Sequence, residues 1–275
     1  MKNKISQSKV SVIITTKNEE KNIKTCLQSI KDQSYQNIEI IVIDNNSSDS
    51  TKKIALGFTK HVYNKGPERS AQRNYGAEKS AGDYLLFLDA DMKLSKDVVK
   101  DCVSVIEKSK VGGVIIPEES YGIGFWAQCK KLERSFYLGI DWIEGARFFN
   151  KKVFNEIGAY DAAMISGEDW DLSQRVMKKY SLVRINSFIF HNEGRLLLSE
   201  TIKKKYYYAK NISPYLKKSY GTIENSRQTS VLGRYQLYFS NYKRLLKNPL
   251  LSLGMLFMKT AEFCAGGLAY LLYKQ

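Results

Sequence analysis

Short apolar runs recur along the first part of the chain. Val10–Thr16, Ile38–Asp44, Tyr84–Asp89 and Val111–Ile116 are each rich in β-branched or other apolar residues and have the length of a strand. Strands that are apolar on both faces are typical of a parallel sheet covered by helices. We therefore predict four buried strands here.

Helical patterns separate these runs. Apolar residues recur at helical spacing from Ile23 to Ile30, and Ser47–Leu56, Glu68–Lys79 and Ser95–Ser109 also have helical patterns. This alternation indicates repeated βαβ units with right-handed crossovers. The sequence therefore predicts an α/β fold with a doubly wound, mostly parallel sheet.

The alternation weakens after Pro117. We predict a helix over Gly122–Gly139, a short strand at Ala146–Asn150 and a helix that opens at Glu168, with mainly helical chain from Leu196 onward. No internal repeat or low-complexity segment is present.

The segment Leu250–Tyr273 is long and apolar enough to cross a bilayer as a helix. However, Lys259 and Glu262 lie in its middle, and each charge at the centre of a spanning helix costs roughly 2.5–3.5 kcal/mol. Three placements stay open: a helix in the membrane interface, a helix packed on the protein core, and a true span.

Composition narrows the choice of partners. The 275 residues include 43 Lys and Arg against 28 Asp and Glu, a formal net charge of +15, which indicates nucleic acid, anionic lipid or a phosphorylated substrate. A lysine-rich soluble surface is the alternative. The four cysteines form no CxxC pair, which argues against a zinc site or a disulfide framework. The polar stretch Met1–Lys9 lacks the apolar core of a signal peptide, so we expect a cytoplasmic location.

Polar clusters follow three of the predicted strands, at Thr15–Glu19, Asp44–Asp49 and Asp89–Asp91. Ligands of doubly wound sheets bind beyond the carboxyl ends of the strands. Residues i and i+2 of an extended chain share a face, so Asp89 and Asp91 are expected to lie together and to hold a divalent cation. Neither GxGxxG nor GxxxxGK[ST] occurs, which argues against a dinucleotide site or a P-loop.

Four segments, in order, resemble the motifs of family-two glycosyltransferases, which are inverting enzymes of the GT-A fold: Ser11–Glu19, Glu39–Thr51, Arg69–Asp91 and Gly167–Arg175. The resemblance implies a GT-A sheet with helices on both faces and a helical C-terminal extension. We expect a catalytic domain at 1–200, with a nucleotide-sugar-binding half at 1–117 and an acceptor-side half at 118–200. Residues 201–275 would form a basic, aromatic extension.

The resemblance implies roles on the donor side. Asp44 corresponds to the residue that bonds the nucleobase of a nucleoside-diphosphate (NDP) sugar, and Glu19 to the acid near the ribose. Thr15, Arg73 and Asp89 complete the expected nucleotide-sugar site, with Arg73 suited to the diphosphate. The alternatives are that Asp44 and Glu19 cap helices and that Arg73 lies on a solvated helical face. The family usually has Asp-Asp-Gly-Ser where this chain has Asp44-Asn45-Asn46-Ser47, so UDP and GDP both stay possible.

The resemblance also implies a metal site and a catalytic base. Asp91 and Asp89 match the DxD motif and would hold Mn²⁺ or Mg²⁺ on the diphosphate, with His191 as a further ligand; a structural histidine is the alternative. Asp169, beside Glu168, corresponds to the base that deprotonates the acceptor hydroxyl. A capping pair at the start of a helix is the alternative for these two acids.

The acceptor side is less defined. Lys203–Tyr208 and Lys217–Lys218 combine cations with interfacial aromatic rings, which suits an anionic membrane surface. A peripheral enzyme on the cytoplasmic side of the membrane with a lipid-linked glycan acceptor would fit, and a basic solvated face or an oligomer interface is the alternative. No QxxRW motif follows Glu168 and Asp169, which favours transfer of a single sugar.

Four other functions compete with this interpretation. A polyprenyl-phosphate sugar synthase would share the fold. A sugar nucleotidyltransferase usually has a glycine-rich loop after the first strand, where this chain has Thr15–Glu20. Nucleic-acid binding would fit the charge, but no known binding module is present, so we expect no nucleic-acid partner. A non-catalytic scaffold would not need the DxD motif and the Glu168–Asp169 pair.

Overall fold

The computed structural model describes residues 8–108, 110–218 and 227–273. The chain divides into two compact units. Unit 1 comprises Met1–Pro117, Gly145–Ala162 and Asp169–Phe190, and unit 2 the intervening segments and the rest of the chain. The chain thus leaves unit 1 at Pro117 and returns to it twice. The expected domain boundaries at residues 117 and 200 stay predictions.

The regular elements of the described residues follow one another in three stretches. From the start to Pro117 they are β1 (Val10–Thr16), α1 (Ile23–Lys31), β2 (Ile38–Asp44), α2 (Thr51–Leu56), β3 (Val62–Asn64), α3 (Arg69–Lys79), β4 (Tyr84–Asp89), β5 (Met92–Leu94), α4 (Val98–Ile106) and β6 (Val111–Ile115). Then come β7 (Glu118–Ile123), α5 (Phe125–Ser135), β8 (Ala146–Asn150), α6 (Lys151–Glu156), α7 (Glu168–Met177), β9 (Ser181–Arg184) and β10 (Ile189–Arg195). The C-terminal helices are α8 (Leu198–Lys210), α9 (Ser213–Lys217), α10 (Val231–Ser240), α11 (Tyr242–Leu246) and α12 (Pro249–Tyr273).

Unit 1 is built on a seven-stranded sheet of order β3-β2-β1-β4-β8-β6-β9. Strand β1 is parallel to β2 and β4, β2 to β3, and β6 to β9, whereas β8 is antiparallel to both of its neighbours. The predicted mostly parallel sheet of an α/β fold is therefore confirmed, with one antiparallel strand inserted between β4 and β6.

Two apolar cores cover the faces of this sheet, as the two-residue period of a strand requires. Val12 and Ile14 of β1 belong to the core that α1 and α4 complete. Ile13, between them, belongs to the core that α3, α6 and α7 complete. Helices on both faces explain why these strands are apolar throughout.

The five predicted strands have accurate bounds, whereas three of the predicted helices are too long. Four strands begin and end where expected, while β6 ends one residue earlier. The helix expected over Ser47–Leu56 begins only at Thr51, because the polar residues before it form a loop. Helix α4 occupies only Val98–Ile106 of the expected Ser95–Ser109. The segment Gly122–Gly139 begins in β7, so its helix α5 starts at Phe125. His61 directly precedes β3, which is an edge strand of the sheet.

Helix α3 lies unusually close to the sheet at Gly76. A Cβ atom at this position would overlap Cγ2 of Ile13 and would lie 3.3 Å from Cγ1 of Ile43. Only glycine therefore lets α3 reach this depth. Gln72 of the same helix donates a hydrogen bond to the carbonyl of Ile43 at 2.9 Å.

In unit 2, helix α12 packs against α5 and α8. Its two central charges belong to a closed ring of four ionic groups, of which Glu133, Lys259 and Glu262 are buried. Lys259 Nζ lies 2.9 Å from Glu133 Oε1 and 2.7 Å from Glu262 Oε2, and Lys130 Nζ lies 2.8 Å from Glu133 Oε2 and 3.5 Å from Glu262 Oε1. The charges that would oppose membrane insertion therefore face protein.

The opposite face of α12 is apolar and exposed. Leu250, Leu253, Phe257, Leu268 and Leu271 are each more than half exposed. Their spacing of three or four residues, with a longer gap before Leu268, places them along one side of the helix. By length and composition alone, α12 is the one helix of the described residues that could cross a membrane.

Candidate active site

The carboxyl ends of β1, β2 and β4 meet at one edge of the sheet in unit 1. Thr16 pairs with Asp44 across β1 and β2, and Thr15 pairs with Asp89 across β1 and β4. The Thr15 hydroxyl also donates a hydrogen bond to Asp89 Oδ1 at 2.9 Å. Three of the predicted donor-site residues are therefore neighbours.

Asp44 is buried, and its carboxylate organises the loop after β2. It accepts hydrogen bonds from the Ser47 amide at 2.9 Å and from the Ser47 hydroxyl at 2.5 Å. This turn is not the helix cap that we considered as an alternative, because the N-cap of α2 is Ser50. Because Asp44 also ends a central strand, its carboxylate lies at the edge where a ligand would bind.

The loops after β1 and β2 are bonded to each other, and Glu19 lies between them. Its amide donates to Thr51 Oγ1 at 2.7 Å, and its carboxylate accepts from the Asn22 side chain at 2.7 Å. Asn18 adds two links, donating from its amide to Ser47 Oγ and accepting from the Ser48 amide. These hydrogen bonds hold together the two loops that would surround a nucleoside.

Arginines surround the Asp89 carboxylate. Arg73 Nη2 lies 3.2 Å from Oδ1, and Arg69 Nη1 lies 3.7 Å from Oδ2. Burial alone would raise the pKa of Asp89, but Arg73, Arg69 and Arg147, with the Thr15 hydroxyl, hold it well below its usual range. Asp89 is therefore ionised at any physiological pH.

Arg147 is a site residue that the sequence interpretation missed. It is largely buried on β8, the antiparallel neighbour of β4, and its charge is close enough to lower the pKa of Asp89. The available signal was a cation in the otherwise apolar run Ala146–Phe149. Buried cations need an anionic partner, so this pattern could have been noticed.

Asp91 follows β4 in a turn. Strand alternation therefore does not explain its position, because the extended backbone ends at Asp89. Burial, followed by the charges of Asp91, Asp89 and Glu19, raises the pKa of the Cys26 thiol. That Asp91 lies beside Asp89 stays a prediction.

This donor set suits a hard divalent cation. Mg²⁺ and Mn²⁺ prefer carboxylate oxygens, and Mg²⁺ commonly uses one or two protein carboxylates with substrate phosphates and water. Asp89 and Asp91 are the two carboxylates that could provide these ligands. No group of three or more His, Cys, Asp or Glu side chains within residues 8–108, 110–218 and 227–273 forms a metal cluster by itself.

His191 belongs to unit 2. Its Nδ1 lies 3.0 Å from Glu193 Oε1. Glu193 also accepts a hydrogen bond from the Ser120 hydroxyl at 2.6 Å. Burial would raise the pKa of Glu193, but His191, Arg134 and Ser120 lower it to about 2. The metal-binding role of His191 stays a prediction.

Asp169 lies in the first turn of α7, where the helix dipole stabilises a carboxylate. Arg73 Nη1 and the Tyr160 hydroxyl donate to its Oδ1 at 2.9 Å and 3.1 Å. Arg73 is fully buried. Because it also pairs with Asp89, it bridges the carboxylates of Asp89 and Asp169. Glu168, which precedes Asp169, is a largely buried residue of unit 2.

The third acid of this helix has a structural role. Asp171 is fully buried and binds Arg175 through Nε at 2.9 Å and Nη2 at 2.7 Å. Arg175 also donates to the carbonyl of Ala159 at 2.6 Å. This pair fixes α7 to the preceding loop and leaves Asp169 as the partly exposed acid.

Comparisons with known proteins indicate the family and the fold of the chain. The sequence model of Glycosyl transferase family 2 matches residues 11–163, more than half of the chain. "Glycosyltransferase GlyA" of Streptococcus pneumoniae serotype 4 is 33% identical over 98 residues, which are 34% of this chain and 14% of that protein. A Campylobacter jejuni protein, "GalNAc(5)-diNAcBac-PP-undecaprenol beta-1,3-glucosyltransferase", is 33% identical over 96 residues, 31% of this chain and 30% of that protein.

The chain therefore matches less than a third of the length of these two curated relatives. Among solved structures, the mannosyltransferase PcManGT from Pyrobaculum calidifontis, in complex with GDP-Man and Mn²⁺, has a similar fold. The TM-score is 0.69 at 14% identity, covering 98% of this chain and 89% of that chain. By its sequence match, the chain belongs to Glycosyl transferase family 2, and its fold is of the GT-A type.

Proposed function

We propose that the protein is an inverting, metal-dependent enzyme that moves one sugar from an NDP-sugar to an acceptor hydroxyl or phosphate. One observation carries the proposal: Arg73 joins Asp89, at the donor-side strand end, to Asp169 in one hydrogen-bonded array. The reaction needs an acid at the metal site on the donor side, here Asp89, and an acid near the acceptor, here Asp169.

On the donor side, Asp44 would bind the nucleobase and Glu19 the ribose, with Thr15 orienting Asp89. Arg69 has a side chain that is 38% exposed, so it can reach a diphosphate, whereas Arg73 is fully enclosed. Arg73 therefore serves donor binding through Asp89. A divalent cation held by Asp91 and Asp89 would neutralise charge on the departing nucleoside diphosphate.

On the acceptor side, Asp169 would accept the proton of the attacking hydroxyl while Glu168 contributes negative charge beside it. A base in this position supports attack opposite the leaving group, and a single displacement inverts the anomeric carbon. The ion pair with Arg73 keeps the Asp169 carboxylate in place.

We further propose a lipid-linked acceptor and peripheral attachment to an anionic membrane at its cytoplasmic face. Support comes from the exposed apolar face of α12 and from exposed cations beside it in unit 2, among them Lys243, Arg244 and Lys247. The undecaprenol-linked glycan in the name of the Campylobacter jejuni relative fits this acceptor class. A polyprenyl phosphate acceptor fits the same surface and is the second candidate.

Isothermal titration calorimetry with UDP-, GDP- and dTDP-sugars, in Mn²⁺ and in chelator, tests the proposal. We expect metal-dependent binding of one donor class and inversion of the anomeric centre in the product. Binding of no donor by the folded protein would contradict the donor assignment. Equal binding in chelator would contradict the metal role.

A further inference from the structure

The two carboxylate oxygens of Asp169 have different surroundings. Arg73 Nη1 and the Tyr160 hydroxyl both donate to Oδ1, at 2.9 Å and 3.1 Å. No donor in the described part of the chain forms a hydrogen bond to Oδ2. The Asp169 side chain is 29% exposed. Oδ1 is therefore fixed by two hydrogen bonds, while Oδ2 is available to a substrate.

Tyr160 is itself fixed by helix α3. The Asn74 side-chain amide donates to the Tyr160 carbonyl at 2.7 Å, and the Tyr160 amide donates to Asn74 Oδ1 at 3.0 Å. The Tyr160 ring is buried, with its centroid 5.1 Å from the Arg73 guanidinium carbon and 5.2 Å from the Phe87 ring centroid. Neither the ring nor the backbone of Tyr160 can move without disturbing α3.

The backbone near Asp169 is also packed closely. A Cβ atom added at Gly145 would lie 3.1 Å from Asp169 Cβ, which is tighter than ordinary van der Waals contact. The Ser173 hydroxyl donates to the Asp169 carbonyl at 2.7 Å and accepts from the Ala146 amide at 3.0 Å. The position of Asp169 is therefore constrained at both its backbone and its side chain.

We infer that Arg73, Tyr160 and Asn74 are positioning residues that fix Asp169 Oδ1, so that Oδ2 is the atom that receives the acceptor proton. The inference rests on the proposed role of Asp169 as the base. Arg73 and Asn74 are consecutive on α3, so one helix sets both the carboxylate and the tyrosine that holds it.

The step balances as a single displacement. A lone pair of the acceptor oxygen forms the bond to the anomeric carbon, and the bond from that carbon to the phosphate oxygen breaks. Its electron pair leaves with the nucleoside diphosphate, and the acceptor proton passes to Asp169 Oδ2. Tyr160 and Arg73 donate hydrogen bonds throughout and exchange no proton.

The test uses the full chain with UDP-GlcNAc and GDP-mannose in Mn²⁺ and water as the acceptor. Turnover is read as release of UDP or GDP, binding as the Kd of each nucleotide, and stability as the Tm. The variants are Y160F, D169N and the double variant. The matched control is Y75F, which removes a hydroxyl on α3 that forms no hydrogen bond within the described residues.

We expect Y160F to lower turnover by about tenfold, because a hydrogen bond to a charged group contributes about that factor, with the nucleotide Kd unchanged. In the D169N background the same substitution should cause no further loss, because Tyr160 acts through Asp169. Y75F should match the wild type. Wild-type turnover by folded Y160F, or an equal loss in the D169N background, would overturn the inference.

The Tm measurements test the inference independently of the proposed function, because they need no turnover. If the wild type turns over neither donor, the proposed function fails for these donors. The contact of Tyr160 with Asp169 Oδ1 is then tested by the Tm alone. The Tm shifts of Y160F and D169N should then be non-additive, since D169N removes the charge of the acceptor and so weakens the hydrogen bond that Y160F removes. Additive shifts would show that the contact with Oδ1 does not exist.

Discussion

The ring of four charges in unit 2 gives the sharpest stability prediction. Replacing Lys259 by Met keeps the apolar stem and removes the ammonium group that binds Glu133 at 2.9 Å and Glu262 at 2.7 Å. Two buried carboxylates would then share one cation, Lys130. Removing one partner of a buried ion pair costs about 3–5 kcal/mol, because an uncompensated charge stays in the interior.

The structure places the expected cost near the lower end of that range. The side chains of Lys259, Glu133 and Glu262 are 7%, 3% and 5% exposed, so water screens the remaining carboxylates poorly. Lys130, at 19% exposed, can shift toward Glu262 and recover part of the loss. We therefore expect K259M to lower the free energy of unfolding by about 3 kcal/mol.

Urea unfolding followed by circular dichroism measures this loss as a lower midpoint at an unchanged slope. Lys247→Met, at an exposed position just before α12, is the control and should change stability by less than about 0.5 kcal/mol. The double variant K259M/E262Q restores neutrality, so it should be more stable than K259M. If K259M matched the control, the ring would contribute nothing and the reasoning would be wrong.

The same ring predicts the acid side of the stability profile. Burial would raise the pKa of Glu133, but Lys130 and Lys259 hold it well below its usual range. A depressed carboxylate pKa stabilises the fold above the unfolded-state value, and this contribution is lost as the pH falls through the folded-state value. K259M should weaken this dependence, so its difference from the wild type should narrow in acid.

Four further outcomes are expected. Asp91→Asn should abolish metal-dependent donor turnover in a folded protein, and Asp169→Asn should lower the transfer rate far more than donor affinity. Leu253→Glu with Leu268→Glu should reduce sedimentation with anionic vesicles, because both place charge on the exposed face of α12. Burial and neighbouring cations lower the pKa of Lys205 to about 8, which destabilises the fold below that pH. Lys205→Met should therefore raise unfolding free energy by about 1 kcal/mol at pH 7, an advantage that shrinks toward pH 10.5 as the wild type gains stability.

Each of these outcomes can fail. Wild-type activity of D91N would exclude a role of Asp91 in metal binding. If D169N lowered only the affinity for the donor and not the transfer rate, Asp169 would not be the catalytic base. Leu56, an exposed leucine of unit 1, provides the control Leu56→Glu for vesicle binding. Equal binding by all leucine variants would contradict the membrane face, and a pH-independent effect of K205M would contradict the titration of Lys205.

Local patterns were sufficient to predict the family of the chain and five of the seven strands of the sheet, all except β3 and β9. A run such as Val10–Thr16 must be buried on both faces, and its polar C-terminal end must then lie at the ligand edge. The same reasoning brings Thr15 and Asp89 together, as the structure shows. Helix ends were less predictable, because the polar residues between Asp44 and Thr51 fit both a loop and a first helical turn.

Side-chain partners far apart in sequence were beyond such patterns. Arg73 was expected to face a diphosphate, yet it is enclosed between Asp89 and Asp169, the latter 96 residues away. Tyr160 gave no signal, because its role depends on a loop that folds back to Asn74. Lys259 and Glu262 were interpreted as a cost of membrane insertion, since their partners on α5, Glu133 and Lys130, are not visible from the C-terminal sequence.

The missing side chain at Gly76 shows where the precision of the site is set. Arg73 and Asn74 lie within one turn of it, on the helix that Gly76 allows to approach Ile13. Any larger residue would lift this part of α3 from the sheet and withdraw the guanidinium from both carboxylates at once. Such a substitution would be recorded as a catalytic defect, although the altered position carries no functional group and touches no substrate. In a screen for loss of function, substitutions of Gly76 would therefore reduce activity as substitutions of the acids that perform the reaction do.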